Sequence, residues 1–126
     1  MPQQQTAGTL RTIWLALSAS TVIYAVAVYI LFGKTPQRLF ADVFREPLVM
    51  TLYALAIASF FAGTIIWNAM ADRPPQLRMV ASMAVYESGA IFGLVAAFAS
   101  HDWRLYVPPW ILTLVGFRRT FPADIK

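Results

Sequence analysis

One acidic side chain in this sequence stands where an unusual chemistry is open to it. Glu87 lies inside the apolar run Met79–Ser100, MVASMAVYESGAIFGLVAAFAS, which holds no other charged residue. In a helix rising about 1.5 Å per residue, its carboxyl is about 12 Å beyond the start of the run. A charged carboxylate in hydrocarbon costs a few kcal/mol, and desolvation favours the neutral acid. An acid that gains and loses a proton at membrane depth is what a proton or cation relay requires. The bland alternative is a protonated acid that hydrogen-bonds a neighbouring helix, with Tyr24, Tyr53, Ser59 or Thr64 as partner. Both readings need a bilayer and further helices around Glu87.

The remaining reactive residue types are sparse. With no cysteine, structural disulfides, thiolate metal sites and a cysteine nucleophile are excluded. His101 is the single histidine, so no bis-histidine haem forms within one chain. Beside Asp102 it reads as an interfacial histidine more readily than as a haem or chlorophyll ligand. No phosphate-binding glycine loop, HExxH or nucleophile–base constellation is present. The sequence therefore predicts no enzyme activity, no cofactor and no metal centre.

Composition supplies the bilayer. The chain is 59% hydrophobic and 13% charged, against about 45–50% and about 25% for ordinary soluble domains. That leaves too little polar surface to cover a soluble core. The net charge of +4 comes from cations just outside the apolar runs, which suits lipid headgroups rather than nucleic acid.

Four apolar runs follow one another. The first is Thr12–Phe32, at about 31 Å long enough for a hydrocarbon core of about 30 Å; the eleven residues before it are polar and read as mobile. It exceeds the 7–15 apolar residues of a secretory signal and reads as a retained helix. Residues 36–46 place Leu39, Phe40, Val43 and Phe44 opposite Arg38, Asp42 and Arg45, the pattern of a short interfacial helix. The second run is Leu48–Met70. The polar connection Ala71–Arg78 is short, which makes spans two and three an antiparallel hairpin. After span three, Leu105–Phe117 is short for a crossing and contains Pro108-Pro109. It reads as a kinked, thinned fourth span bracketed by Arg104 and the topogenic pair Arg118-Arg119, or else as a re-entrant segment. With four spans the Lys and Arg count weakly favours an inside N-terminus; with three it favours the reverse.

Helical periodicity gives span three two distinct faces. Val80, Met83, Ala84, Glu87, Ile91, Leu94 and Phe98 form one stripe, and Gly89, Gly93 and Ala97 form a second that permits close helix packing. The segment Glu87-Ser-Gly-Ala-Ile-Phe-Gly-Leu-Val-Ala-Ala-Phe98, with Arg73-Pro74-Pro75 before it, resembles the carboxylate helix and polar loop of rotor-ring subunit c of F-type ATP synthases. The resemblance covers about residues 72–100, and the rest of the chain does not match. It implies that Glu87 is the ion-carrying acid and Arg73 a loop residue.

The expectation is an all-α integral membrane bundle of four helices, or three, with an interfacial helix. As a multi-pass protein of the bacterial inner membrane, it would be a structural or accessory subunit of a membrane complex, or a homo-oligomer. The alternative is a proton- or cation-translocating component using Glu87. Its partners would be the lipid bilayer and other membrane subunits or copies of itself, and no nucleic acid.

Overall fold

A computed structural model of the chain describes residues 2–34, 42–43 and 45–120, with side chains from Gly8 onward. Among these residues the α-helices with described bounds are α1 Pro2–Phe32, α2 Pro47–Ala69, α3 Pro75–Ser100 and α4 Val107–Thr120, the last preceded by the 3-10 turn Trp103–Tyr106. Among the described residues there is no strand. Three of the helices are long and apolar enough to cross a membrane, over Gly8–Phe32, Pro47–Ala69 and Pro75–Ser100. The chain is an all-α membrane protein.

Prolines mark where helices begin. Pro47 opens α2 and Pro75 opens α3, at the first turn, where a missing N–H costs nothing. Helix α3 consequently starts four residues before the predicted Met79, and the α2–α3 connection shrinks to the few residues after Ala69. Arg78 closes this hairpin, its Nε donating to the Trp67 carbonyl at 2.7 Å while its guanidinium lies 3.6 Å from the Trp67 ring centroid. Helix α1 also begins earlier than predicted, at Pro2 rather than Thr12. The polar start continues the helix because its glutamines are good helix formers. Leu10 anchors it, buried against Met79, Met83, Tyr86 and Phe117.

Pro108 and Pro109 do not kink a span. They occupy the first turn of α4, so the helix starts at them rather than bending around them. Of the predicted interfacial helix over 36–46, most lies outside the described residues. Within it Asp42 and Val43 are helical and Val43 is buried.

Contacts at both ends set the direction of each helix. At one end Trp14 Nε1 donates to the Phe117 carbonyl at 2.8 Å. At the other, the Tyr29 and Trp103 rings meet edge-on at 5.3 Å, as do Phe32 and Phe98, and Ser100 Oγ donates to Glu46 Oε2 at 3.4 Å. Helix α4 thus runs the length of α1 from Tyr29 back to Trp14, antiparallel to it. Helices α1 and α3 are parallel, and α2 and α4 run the opposite way. The α2–α3 pair is the most extensive contact, α3 is the most enclosed helix and α1 the least.

The bundle centre is a ring held by two glycines. Tyr86 of α3 is 1% exposed, and its ring abuts both Gly63 of α2 and Gly116 of α4. Its hydroxyl lies 2.8 Å from Thr64 Oγ1, and its carbonyl accepts from Thr113 Oγ1 at 3.0 Å. One residue therefore ties three helices together, and only glycines allow their backbones to come this close.

Candidate functional site

Glu87 stands at the middle of the 26-residue α3, with about 18 Å of helix on either side of it. The added first turn of α3 is polar and precedes the apolar run, so Glu87 keeps its predicted place about 12 Å into that run. Its neighbours show why it is only half-buried. Val80, Ala84, Ile91 and Phe98 of the predicted stripe are exposed along the apolar outside of the bundle, whereas Met83 is buried and Leu94 half-buried. Glu87 falls on the border of this open stripe, where α1 begins to cover α3.

The partner of Glu87 is a residue that sequence reasoning did not propose. Ser20 of α1 has its hydroxyl 3.1 Å from Glu87 Oε1 and 2.7 Å from the Leu17 carbonyl, so one proton serves two acceptors. Three of the four expected partners are engaged elsewhere. Tyr53 donates to the Leu105 carbonyl at 2.6 Å, Ser59 to Leu55 at 2.9 Å, and Thr64 faces Tyr86. Tyr24 sits one turn beyond Ser20 on the same helix. Serine scores as a neutral spacer in an apolar run, so only knowing that α1 lies beside α3 in parallel register would have pointed to Ser20.

The small-residue stripe lies on the opposite side of α3, all of it buried. A side-chain carbon at Gly93 would stand 2.6 Å from Pro109 Cβ, and one at Gly89 would stand 3.3 Å from the Ala56 carbonyl and 3.4 Å from Thr113 Oγ1. Gly93 therefore receives the rigid first turn of α4, and Gly89 lies between α2 and α4. Ala97 is fully buried near the turn that joins α3 to α4.

A second carboxylate is more deeply buried than Glu87. Asp102 is 2% exposed and caps the 3-10 turn, its Oδ1 accepting from Arg104 N at 3.0 Å. The Arg104 guanidinium grips it with two bonds, Nε to Oδ1 at 3.0 Å and Nη2 to Oδ2 at 2.8 Å. These bonds raise the basicity of Arg104 above its ordinary value. His101, the predicted interfacial histidine, holds a left-handed backbone at φ 53° and ends α3. It is exposed, and its ring meets Phe32 edge-on at 5.3 Å. The Asp-x-Arg spacing after a helix end was the available signal for this fork, since Asp is a favoured cap.

Helix α4 is stitched to α1 through Thr21. Tyr106 donates from its hydroxyl to the Thr21 carbonyl at 2.7 Å, and Trp110 Nε1 donates to Thr21 Oγ1 at 3.0 Å. Thr21 Oγ1 in turn donates to the Ser18 carbonyl at 2.7 Å. These bonds satisfy each other inside the bundle and leave no activated nucleophile. Among the described residues no three His, Cys, Asp or Glu side chains converge on a metal position. Glu87 is the carboxylate on α3 that borders the apolar exterior, with the Ser20 hydroxyl as its partner. The chain matches no family model, no curated protein and no solved structure.

Proposed function

We propose that this chain is a multi-pass protein of the bacterial inner membrane that serves as a structural or accessory subunit of a larger complex, or assembles with copies of itself. The observation carrying this reading is Glu87, an acid at the centre of α3, half-open to the apolar exterior with Ser20 as its hydrogen-bond partner. An acid in that position costs about 2.5–3.5 kcal/mol by insertion scales. A further helix packed over the seam between α1 and α3 would enclose it and supply donors. Photo-crosslinkers placed at Ala84 and Ile91, on the same open stripe, are expected to capture a discrete species larger than the monomer in native membranes. Glu87→Ala is expected to reduce that capture at least several-fold. A clean monomer in mild detergent, with no crosslink from either position, would remove this reading.

The same acid supports a second reading, proton or cation translocation, because it sits within the apolar run of α3 against a hydroxyl and within a segment similar to a rotor-ring carboxylate helix. Glu87→Gln in proteoliposomes then abolishes ion flux. Unchanged flux in the variant would dispose of it.

The charges support a topology of four crossings with both termini in the cytoplasm. Arg11, Arg73, Arg78, Arg118 and Arg119 are at the end of the bundle where α1 starts and α4 finishes, against Lys34, Arg45 and Arg104 at the other. A fluorescent protein fused after Lys126 is expected to fluoresce, and alkaline phosphatase at the same place to be inactive; an active phosphatase reverses the assignment.

A further inference from the structure

A cavity of about 310 Å³ lies between α1 and the start of α4, lined by Val22, Val26 and Tyr29 on one wall and by Trp103, Tyr106 and Trp110 on the other. It runs along the bundle axis, since Val22 to Tyr29 is about 10 Å of helix. Its open side faces the apolar exterior, where Val26 is 52% exposed. The walls are apolar for a specific reason. The Tyr106 hydroxyl and the Trp110 N–H are both spent on Thr21, so the stacked rings, 5.9 Å apart, turn only carbon toward the groove. At its outer end the Tyr29–Trp103 contact places an aromatic pair where such residues sit at the headgroup level.

The charge at that end is also specific. Two of the nearby acids are matched to cations: Asp102 holds Arg104, and Asp42 lies 4.0 Å from Arg45. Lys34 is exposed in the turn that follows α1, five residues after Tyr29. Among the described residues it has no acidic partner. An apolar slot open to the exterior, with the exposed cation Lys34 following the end of the same helix, is complementary to a molecule with a hydrocarbon tail and an anionic head.

We propose that this groove binds one anionic phospholipid, an acyl chain lying between the Val22–Tyr29 face and the Trp103–Trp110 rings and its phosphate meeting Lys34. A bilayer-facing groove of this kind fills from lipid already around it, and the volume is at the lower end of small-molecule sites. The inference does not depend on Glu87 or on any partner subunit.

Native mass spectrometry of the full chain in mild detergent tests it, with phosphatidylglycerol and phosphatidylcholine added in competition. One lipid per chain is expected to survive activation that strips the rest, with at least a five-fold preference for phosphatidylglycerol. Val26→Trp fills the groove from its open side and is expected to remove the retained lipid. Val22→Trp does the same from the deeper end, so one misfolded variant does not decide the matter; thermal unfolding confirms that each is folded. Lys34→Gln keeps the lipid but brings the preference to near unity. The proposal is overturned if no lipid is retained, if folded Val26→Trp and Val22→Trp keep it, or if the groove instead holds a second chain, seen as a dimer that either tryptophan abolishes.

Discussion

Gly116→Leu is expected to disrupt the bundle more than any other single substitution on α4. A side chain there runs into the Tyr86 ring, which is also held by Gly63, where an added carbon would be 2.7 Å from the ring. Even Gly116→Ala is expected to cost about 1–3 kcal/mol by overpacking. That exceeds the roughly 1 kcal/mol an alanine gains over glycine inside a helix. Tyr86→Ala, which empties the same space, is expected to cost about 3–5 kcal/mol. Thr64 loses little by it, since its hydroxyl also reaches the Phe60 carbonyl at 3.1 Å. The decisive measurement is the double variant Tyr86→Ala with Gly116→Leu, unfolded in bicelles or mixed micelles. Because the leucine then occupies the vacated ring site, its loss should fall well below the sum of the two single losses. Strict additivity would mean that the ring and the glycine do not share that space.

The second large effect is expected at Asp102. Asp102→Ala removes the cap on Arg104 N and both bonds from the guanidinium, all between 2.8 and 3.0 Å. A lost cap costs about 1 kcal/mol, and a broken buried ion pair about 3–5. Arg104 keeps 29% of its side chain exposed, so solvent recovers part of that penalty, and the combined loss should be about 2–3 kcal/mol. Asp102→Asn preserves the capping oxygen and should lose about half as much. Arg104→Ala leaves the carboxylate buried and unmatched, so it should cost more than the double variant lacking both residues. If Arg104→Ala is instead neutral, the fork contributes nothing and Asp102 serves only as a cap.

Sequence reasoning located the helices well and their partners poorly, for identifiable reasons. Apolar runs ended at charges or prolines gave α2 and the end of α3 nearly to the residue, because bilayer thickness and proline chemistry act locally. The starts of α1 and α3 were set too late, because polar residues such as those before Thr12 and around Gln76 continue a helix outside the hydrocarbon. Glu87 was recognisable from its setting alone, an acid in a run otherwise without charge. Its partner was not, since Ser20 is distinguished only by the parallel packing of α1 on α3. Asp102 entered the sequence reading only as the neighbour of His101; it is buried because the chain folds back at once into α4. Tyr86 carried no signal of its own, since the two glycines that hold it are 53 residues apart and on different helices.

The shortness of α4 bears on how such a protein is made. With 14 residues and two prolines at its start, α4 falls well below the length at which a segment enters a bilayer on its own hydrophobicity. Two of its polar side chains find their partners on helices before it, Thr113 on Tyr86 and Trp110 on Thr21, and Tyr106 of the preceding turn bonds the backbone of α1. The first three helices are therefore the solvent into which the fourth dissolves, and biogenesis has an order. α4 therefore settles only against crossings that have already assembled, held to α3 through Thr113 and to α1 through Trp110.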